Sequence, residues 1–170
     1  YYILDHIVLG HPDILFAGCA GGGGRYDPGM LYYHPQIWCS DNTDAVNRLK
    51  IQYGTSFVYP ISTIESHVSV CPNHQTGRTV SMKTRGVVAM NGIFGFELDS
   101  TKMSREEKEL CREQSEFYRK HYWLIANGDY YRLTNPFENK EYTAWQHVSK
   151  DKTESHARLV LTDKESNAPQ

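Results

Sequence analysis

The chain has 170 residues, 39% hydrophobic and 22% charged, with a formal net charge of -2 at pH 7. Length and composition fit one globular unit able to bury a core, and the interspersed charges offer no concentrated Lys/Arg surface for nucleic acid or an anionic bilayer. No apolar run approaches the roughly 20 residues of a membrane-spanning helix, so nucleic-acid and membrane partners are both set aside. The sequence opens Tyr1-Tyr2-Ile3-Leu4-Asp5, without an initiator Met or a basic signal-peptide start, and is expected to begin inside a longer protein. Cys19, Cys39, Cys71 and Cys111 are irregularly spaced with no Cys-x-x-Cys pair. That usage suits a reducing, cytoplasmic compartment better than a disulfide framework.

In chain order, Ile14-Leu15-Phe16 predicts a buried strand running into the loop Gly18-Cys19-Ala20-Gly21-Gly22-Gly23-Gly24-Arg25. Consecutive glycines admit unusual torsions and present N–H groups to a ligand's oxygens. A phosphate loop would end in Gly-Lys-Ser/Thr, whereas Arg25-Tyr26-Asp27 follows here. A flexible linker is a poor fit directly after a buried strand, so a ligand loop is expected. Gln36-Ile37-Trp38-Cys39 predicts a second strand, ending at the polar cluster Ser40-Asp41-Asn42-Thr43-Asp44. A helix should follow, with Ala45, Val46, Leu49 and Tyr53 on one face and Gly54 as its stop.

Phe57-Val58-Tyr59-Pro60 together with His67-Val68-Ser69-Val70 predicts the next extended segment, and Gly86-Val87-Val88-Ala89-Met90 through Phe94-Gly95-Phe96-Glu97-Leu98 another. Ser104 and Glu107 form a capping-box signature for a helix whose inward face carries Leu110, Phe117, Leu124 and Ile125, with Gly128 as its stop. The runs 142–147 and 157–161 then read as strands with no helix between them, and Asn135-Pro136 reads as a seam.

The first part alternates strands and helices and the tail does not. The expected architecture is α/β: residues 1–133 as the C-terminal half of a (β/α)8 TIM barrel, and 134–170 as the start of an antiparallel β-sandwich domain. About four of the eight barrel strands would be present, and chemistry would lie at their C-terminal ends. Both the glycine loop and Asp41 fall at such ends. Asp44 reads as a helix cap. For Asp41, capping and function stay equally open; a carboxylate beside Trp38 suits sugar chemistry, although Trp38 itself reads as core. Glycosidases flank the scissile bond with two carboxylates, about 5 to 5.5 Å apart for retention, and spacing in sequence does not identify a second one. His67, Cys71 and His74 could be assembled into a zinc set, but no second ligand pair accompanies them. A buried Cys with loop histidines is preferred.

The run Leu15 to Tyr33, with Phe16-Ala17-Gly18-Cys19-Ala20-Gly21-Gly22-Gly23-Gly24-Arg25 at its centre, and Pro35-Gln36-Ile37-Trp38-Cys39-Ser40-Asp41-Asn42-Thr43-Asp44-Ala45 resemble the family 36 α-galactosidases. The similarity continues through Arg48-Leu49-Lys50-Ile51-Gln52-Tyr53-Gly54, Tyr59-Pro60, His67-Val68-Ser69 and Pro72-Asn73-His74-Gln75, covering most of the chain. It implies a retaining hydrolase that removes terminal α-D-galactose from oligosaccharides such as melibiose and raffinose, needs no metal or organic cofactor, and forms a homo-oligomer when full length. Asp41 matches the family's acid/base. Cys19, Gly21 and Gly22 match the loop contacting galactose around its 2-hydroxyl. The family's nucleophile belongs to a Lys-Trp-Asp motif on an earlier strand, and none of Trp38, Trp123 or Trp145 is followed by Asp. The chain alone is therefore expected to be inactive. His34, Cys39 and Ile64-Glu65-Ser66 depart from the family pattern, which bears on substrate preference. The relatives include α-N-acetylgalactosaminidases and plant galactosyltransferases for raffinose-type sugars, and a noncatalytic sugar-binding protein would keep the loop without the chemistry.

Overall fold

The computed structural model describes residues 2–19, 21 and 23–163. Four short strands, β1 (Ala17–Cys19), β2 (Gln36–Trp38), β3 (Ile64–Val68) and β4 (Ile93–Phe96), pair in that order, every neighbour parallel. Parallel neighbours require a crossover, and the segments between them carry α2 (Pro28–Tyr33), α3 (Ala45–Thr55) with a 3-10 turn at Ile61–Thr63, and α4 (Met82–Ala89). A helix α1 (Tyr2–Gly10) comes first and α5 (Arg105–Asn127) follows β4. Three antiparallel strands, β5 (Asp129–Arg132), β6 (Tyr142–Val148) and β7 (Ser155–Leu161), make the second sheet. This is part of a β/α barrel followed by a sheet domain, as expected. Antiparallel pairing starts at Asp129, ahead of the boundary expected between 133 and 134.

Helix starts follow local chemistry. Asp27 accepts a 2.9 Å hydrogen bond from Met30 N, with Pro28 opening α2. At α5, Ser104 Oγ accepts from Glu107 N (3.1 Å) while Glu107 Oε2 accepts from Ser104 N (3.0 Å), the reciprocal capping box. Gly128 caps the other end as read from the sequence.

Alternation along β3 divides its two faces. Ile64, Ser66 and Val68 are buried toward the helices. There Gln52 of α3, itself buried, donates 2.7 Å to Asn91 O and 3.4 Å to Ser66 Oγ, tying α3, β3 and the end of α4 together. Leu49 and Val88 pack with Trp145 and Val160, so α3 and α4 form a layer between the two sheets. Arg132 of β5 adds a 2.8 Å bond to Ser56 Oγ and lies 4.2 Å from the Phe57 ring. The other face of β3 carries Glu65 and His67.

Several expected elements sit elsewhere. The first strand spans 17–19 and not 14–16; Ile14 and Leu15 are 55% and 66% exposed, on the approach to a strand whose described partner is β2. Phe57 and Val58 belong to the turns leaving α3, bonded back to Gly54 O and Thr55 O, and are exposed. Residues 86–90 close α4, whose start is capped by Ser81. A short apolar run has no period long enough to separate strand from buried helix, and the Ser81 cap decides it. Phe117, read as inward, is 41% exposed, and Tyr118 and Gln114 take the buried face of α5.

Candidate active site

All four parallel strands end on one side of the sheet, and a cleft of about 580 Å³ opens there. Cys19 ends β1, Trp38 ends β2, His67 lies near the end of β3, and Glu97 follows β4. These four line the cleft with Asp41, Thr43, Glu65, Ser69, Val70 and His74. Parallel strands aim their C-terminal ends and following loops at a shared mouth, which is where barrel sites form.

Asp41 and Asp44 separate cleanly. Asp44 is 1% exposed and caps α3, its Oδ1 accepting from Val46 N and Asn47 N at 2.9 Å each. It also accepts from Thr76 Oγ1 (2.5 Å) and pairs with Arg78 Nη1 (2.5 Å). Burial works against its charge, but the bonds from Thr76, Asn47 N and Arg78 outweigh it and hold its carboxyl below the usual carboxylate range. Asp41 is exposed at the cleft, and its carboxylate takes no hydrogen bond from any described residue. Capping is therefore the work of Asp44, and Asp41's side chain is left to face the cleft.

The backbone around Asp41 is held firmly. Gln75 Nε2 donates to Asp41 O (2.8 Å) while Gln75 Oε1 accepts from Thr43 N (2.9 Å). Asn73 is buried, donates to Thr43 Oγ1 (2.9 Å), and its Oδ1 accepts from Gln75 N and Thr76 N at 3.0 Å each. The loop after β3 thus grips the loop after β2.

Trp38 was read as core, and it is buried, 8% exposed, yet it also lines the cleft. Its ring stacks on His67 at 4.1 Å and 9°, and the buried Arg48 guanidinium lies 4.1 Å from its centroid. Arg48 donates to Ser40 O (3.3 Å) and Glu65 O (3.1 Å), so one cation fixes the end of β2 against β3. His67 Nε2 is 2.6 Å from Glu97 Oε2, a charge contact without hydrogen-bond alignment. Burial pushes the His67 imidazole below its ordinary range; Glu97 opposes this and Arg48 adds to it. Burial pushes the Glu65 carboxyl up, partly offset by a 2.8 Å bond from Gln36 Nε2. Glu65 and Glu97 were not singled out as site residues, and His67 was weighed only for a zinc set. The signal available was Glu65 and His67 at i and i+2, polar positions alternating with the apolar Ile64 and Val68.

Of the glycine loop, Cys19 shares the cleft with Asp41, and its carbonyl accepts 3.1 Å from Arg25 Nη2. Gly21 has φ +56 and is not among the cleft-lining residues. Gly22 lies outside the described residues. Gly23 shows the clearest steric need for glycine: its φ is +88, and a Cβ there would sit 2.7 Å from Cys39 O. The four cysteines are free thiols. Among the described residues, His67, Cys71 and His74 do not gather into a metal-binding group.

A run of parallel strands, helix-backed, whose C-terminal ends border a polar cleft with an unengaged carboxylate, has the layout of the loop-bearing face of a β/α barrel. The chain belongs to the melibiase family, whose profile matches residues 1–128. It is 55% identical over 99% of its length to the α-galactosidase AgaA of Geobacillus stearothermophilus, and 52% identical over 98% to the bifunctional α-galactosidase/sucrose kinase AgaSK of Mediterraneibacter gnavus. A crystal structure of an AgaA variant, a GH36 α-galactosidase in complex with raffinose, superposes with a TM-score of 0.96 at 54% identity over 99% of the chain and 23% of that structure. The chain spans 23% and 18% of the lengths of these two curated relatives.

Proposed function

We propose that this chain supplies the acid/base half of the active site of a retaining α-galactosidase that cleaves terminal α-galactose from oligosaccharides of the raffinose and melibiose type. One observation carries the reading: Asp41 stands at the end of β2 with a carboxylate that no described group engages, in the cleft it shares with Cys19 and Trp38. An exposed, rigidly mounted carboxyl is suited to exchanging protons with a departing glycosidic oxygen and then with water. Its backbone is fixed by Gln75, so the group need not be ordered at the moment of reaction. Cys19 and the following glycines would meet the galactose ring from β1. The second carboxylate of a retaining pair would come from residues outside this chain, on the family's Lys-Trp-Asp strand. The relatives' raffinose complex supports the substrate class.

The test is Asp41→Asn in the complete enzyme. A positioned general acid contributes about a hundredfold to ten-thousandfold, and hydrolysis of ordinary α-galactosides should fall by about that factor. An aryl galactoside with a good leaving group needs little protonation, so the variant should form its galactosyl-enzyme and then stall. Azide needs no deprotonation and should restore turnover, giving the α-linked galactosyl azide. A β-linked azide would make Asp41 the nucleophile, and near-normal hydrolysis would end the assignment.

A further inference from the structure

Away from the cleft, α5 and the β6–β7 hairpin bring three metal-ligand side chains together. His121 on α5, Glu154 in the hairpin turn and His156 on β7 offer ligating atoms that all lie within 4.8 Å of one another. His121 Nδ1 is 3.0 Å from Glu154 Oε1, and His156 Nε2 is 3.6 Å from the same oxygen. The imidazole centroids are 4.0 Å apart. We propose that His121, Glu154 and His156 bind a borderline first-row transition dication of the zinc class, which ties α5 to the hairpin.

The spacing suits such an ion. Ligand atoms about 2.0 to 2.1 Å from a tetrahedral zinc lie roughly 3.3 to 3.4 Å from each other, and the two observed separations of 3.0 and 3.6 Å straddle that value. Two imidazoles and one carboxylate leave a fourth position for water, and two nitrogen ligands argue against calcium or magnesium, which take oxygen. A His–carboxylate hydrogen bond explains His121 without any ion. It does not explain His156, whose Nε2 faces the same Glu154 oxygen at 3.6 Å, too far for a hydrogen bond. An ion held between the three residues gives Nε2, the nitrogen nearest Glu154, a partner, and leaves Nδ1 as it stands.

The scaffold is also prepared. Ser149 N donates 2.9 Å to Glu154 O, and Ser149 Oγ accepts from Glu154 N (3.0 Å) and Thr153 N (3.1 Å), which fixes the turn carrying the carboxylate. Phe117 packs on both imidazoles, 4.6 Å from His121 and 5.5 Å from His156. The charged groups facing His156 are Arg158, Lys120, Glu154 and His121. None of the three residues lines the cleft, which makes the ion a brace between elements and not a participant in hydrolysis.

The experiment uses the complete enzyme, purified without a tag, stripped with chelator and titrated with zinc by calorimetry, with cobalt absorption to read coordination number and magnesium as the control. One saturable zinc per chain is expected, with a four-coordinate cobalt spectrum and a higher unfolding temperature that chelator reverses. Glu154→Gln, at an exposed carboxylate and so least able to disturb folding, should weaken zinc binding about tenfold or more, and His156→Gln more strongly. Affinity should fall as pH drops through the imidazole range. Failure to saturate at one zinc per chain overturns the proposal, and so does undiminished binding by folded Glu154→Gln and His156→Gln proteins.

Discussion

Two aspartates three residues apart do opposite jobs, and the difference is made by their hydrogen bonds. Asp44 spends its carboxylate on the first turn of α3, Thr76 and Arg78, and Asp41 spends none on any described residue. Because the Asp44 carboxyl is held below its usual range, its charge stabilises the fold above the unfolded value of about 3.8, and that contribution disappears as pH falls through the lower folded value. Asp44→Asn separates the roles, since Asn caps a helix about as well as Asp but lacks the charge that meets Arg78. The variant should lose about 1 to 2 kcal/mol at neutral pH, Arg78 being partly hydrated, with the gap from wild type closing below about pH 4. Denaturant unfolding at a series of pH values checks this; a gap that stays constant with pH would mean that the charge contributes nothing. The cap reading of Asp44 was available from sequence because the side chain acts on its own local backbone. The freedom of Asp41 was not, because it depends on Gln75 and Asn73, more than thirty residues away.

The same division between local and distant causes runs through the elements. The capping box at Ser104, the stop at Gly128 and the strands at Gln36 and Tyr142 are legible in short windows, since each is written in neighbouring residues. The runs 57–60 and 86–90 misled because apolar content alone does not specify a period, and their placement is set by where α3 ends and where Ser81 starts α4. Buried Arg48 and Gln52 were also hidden in α3's pattern, being polar residues that face inward to bind Glu65 O and Asn91 O. The loops after β2 and β3 supply the element-scale prediction. Gln75→Ala removes the amide that bonds Asp41 O and Thr43 N while leaving Asp41 and the Asp44 cap in place. In the complete enzyme kcat should fall about tenfold to a hundredfold, as for a catalytic group displaced by a fraction of an ångström to an ångström, with KM and unfolding temperature little changed. Wild-type kcat would show that the loop needs no such grip, and a large stability loss would assign Gln75 to folding instead.

For the whole molecule, the deciding fact is the sheet's incompleteness among the described residues. The strand order runs β1-β2-β3-β4 without closing, whereas a barrel of this class closes with eight strands. β1 and β4 each pair on one side only, which leaves rows of backbone donors and acceptors able to recruit strands from other copies. Large apolar side chains also lie uncovered along the first fifteen residues, including Tyr2, Ile3, Leu9, Ile14 and Leu15. Glu65 and His67 of β3 face the open side of the sheet, where a closed barrel would hold them against opposing strands. The chain superposes on 23% of the length of a solved α-galactosidase. The 170 residues produced alone should therefore associate through their strand edges, bind a hydrophobic dye, and fail to hydrolyse an aryl α-galactoside, because the family's Lys-Trp-Asp nucleophile motif is not among them. Sedimentation and dye binding read the first two, and a discontinuous assay on freshly purified chain reads the third. Steady turnover that disappears with Asp41→Asn would place a complete catalytic pair inside these residues and make Glu65 or Glu97 the partner to test next, while a dye-silent monomer would mean that the four strands cover their own edges.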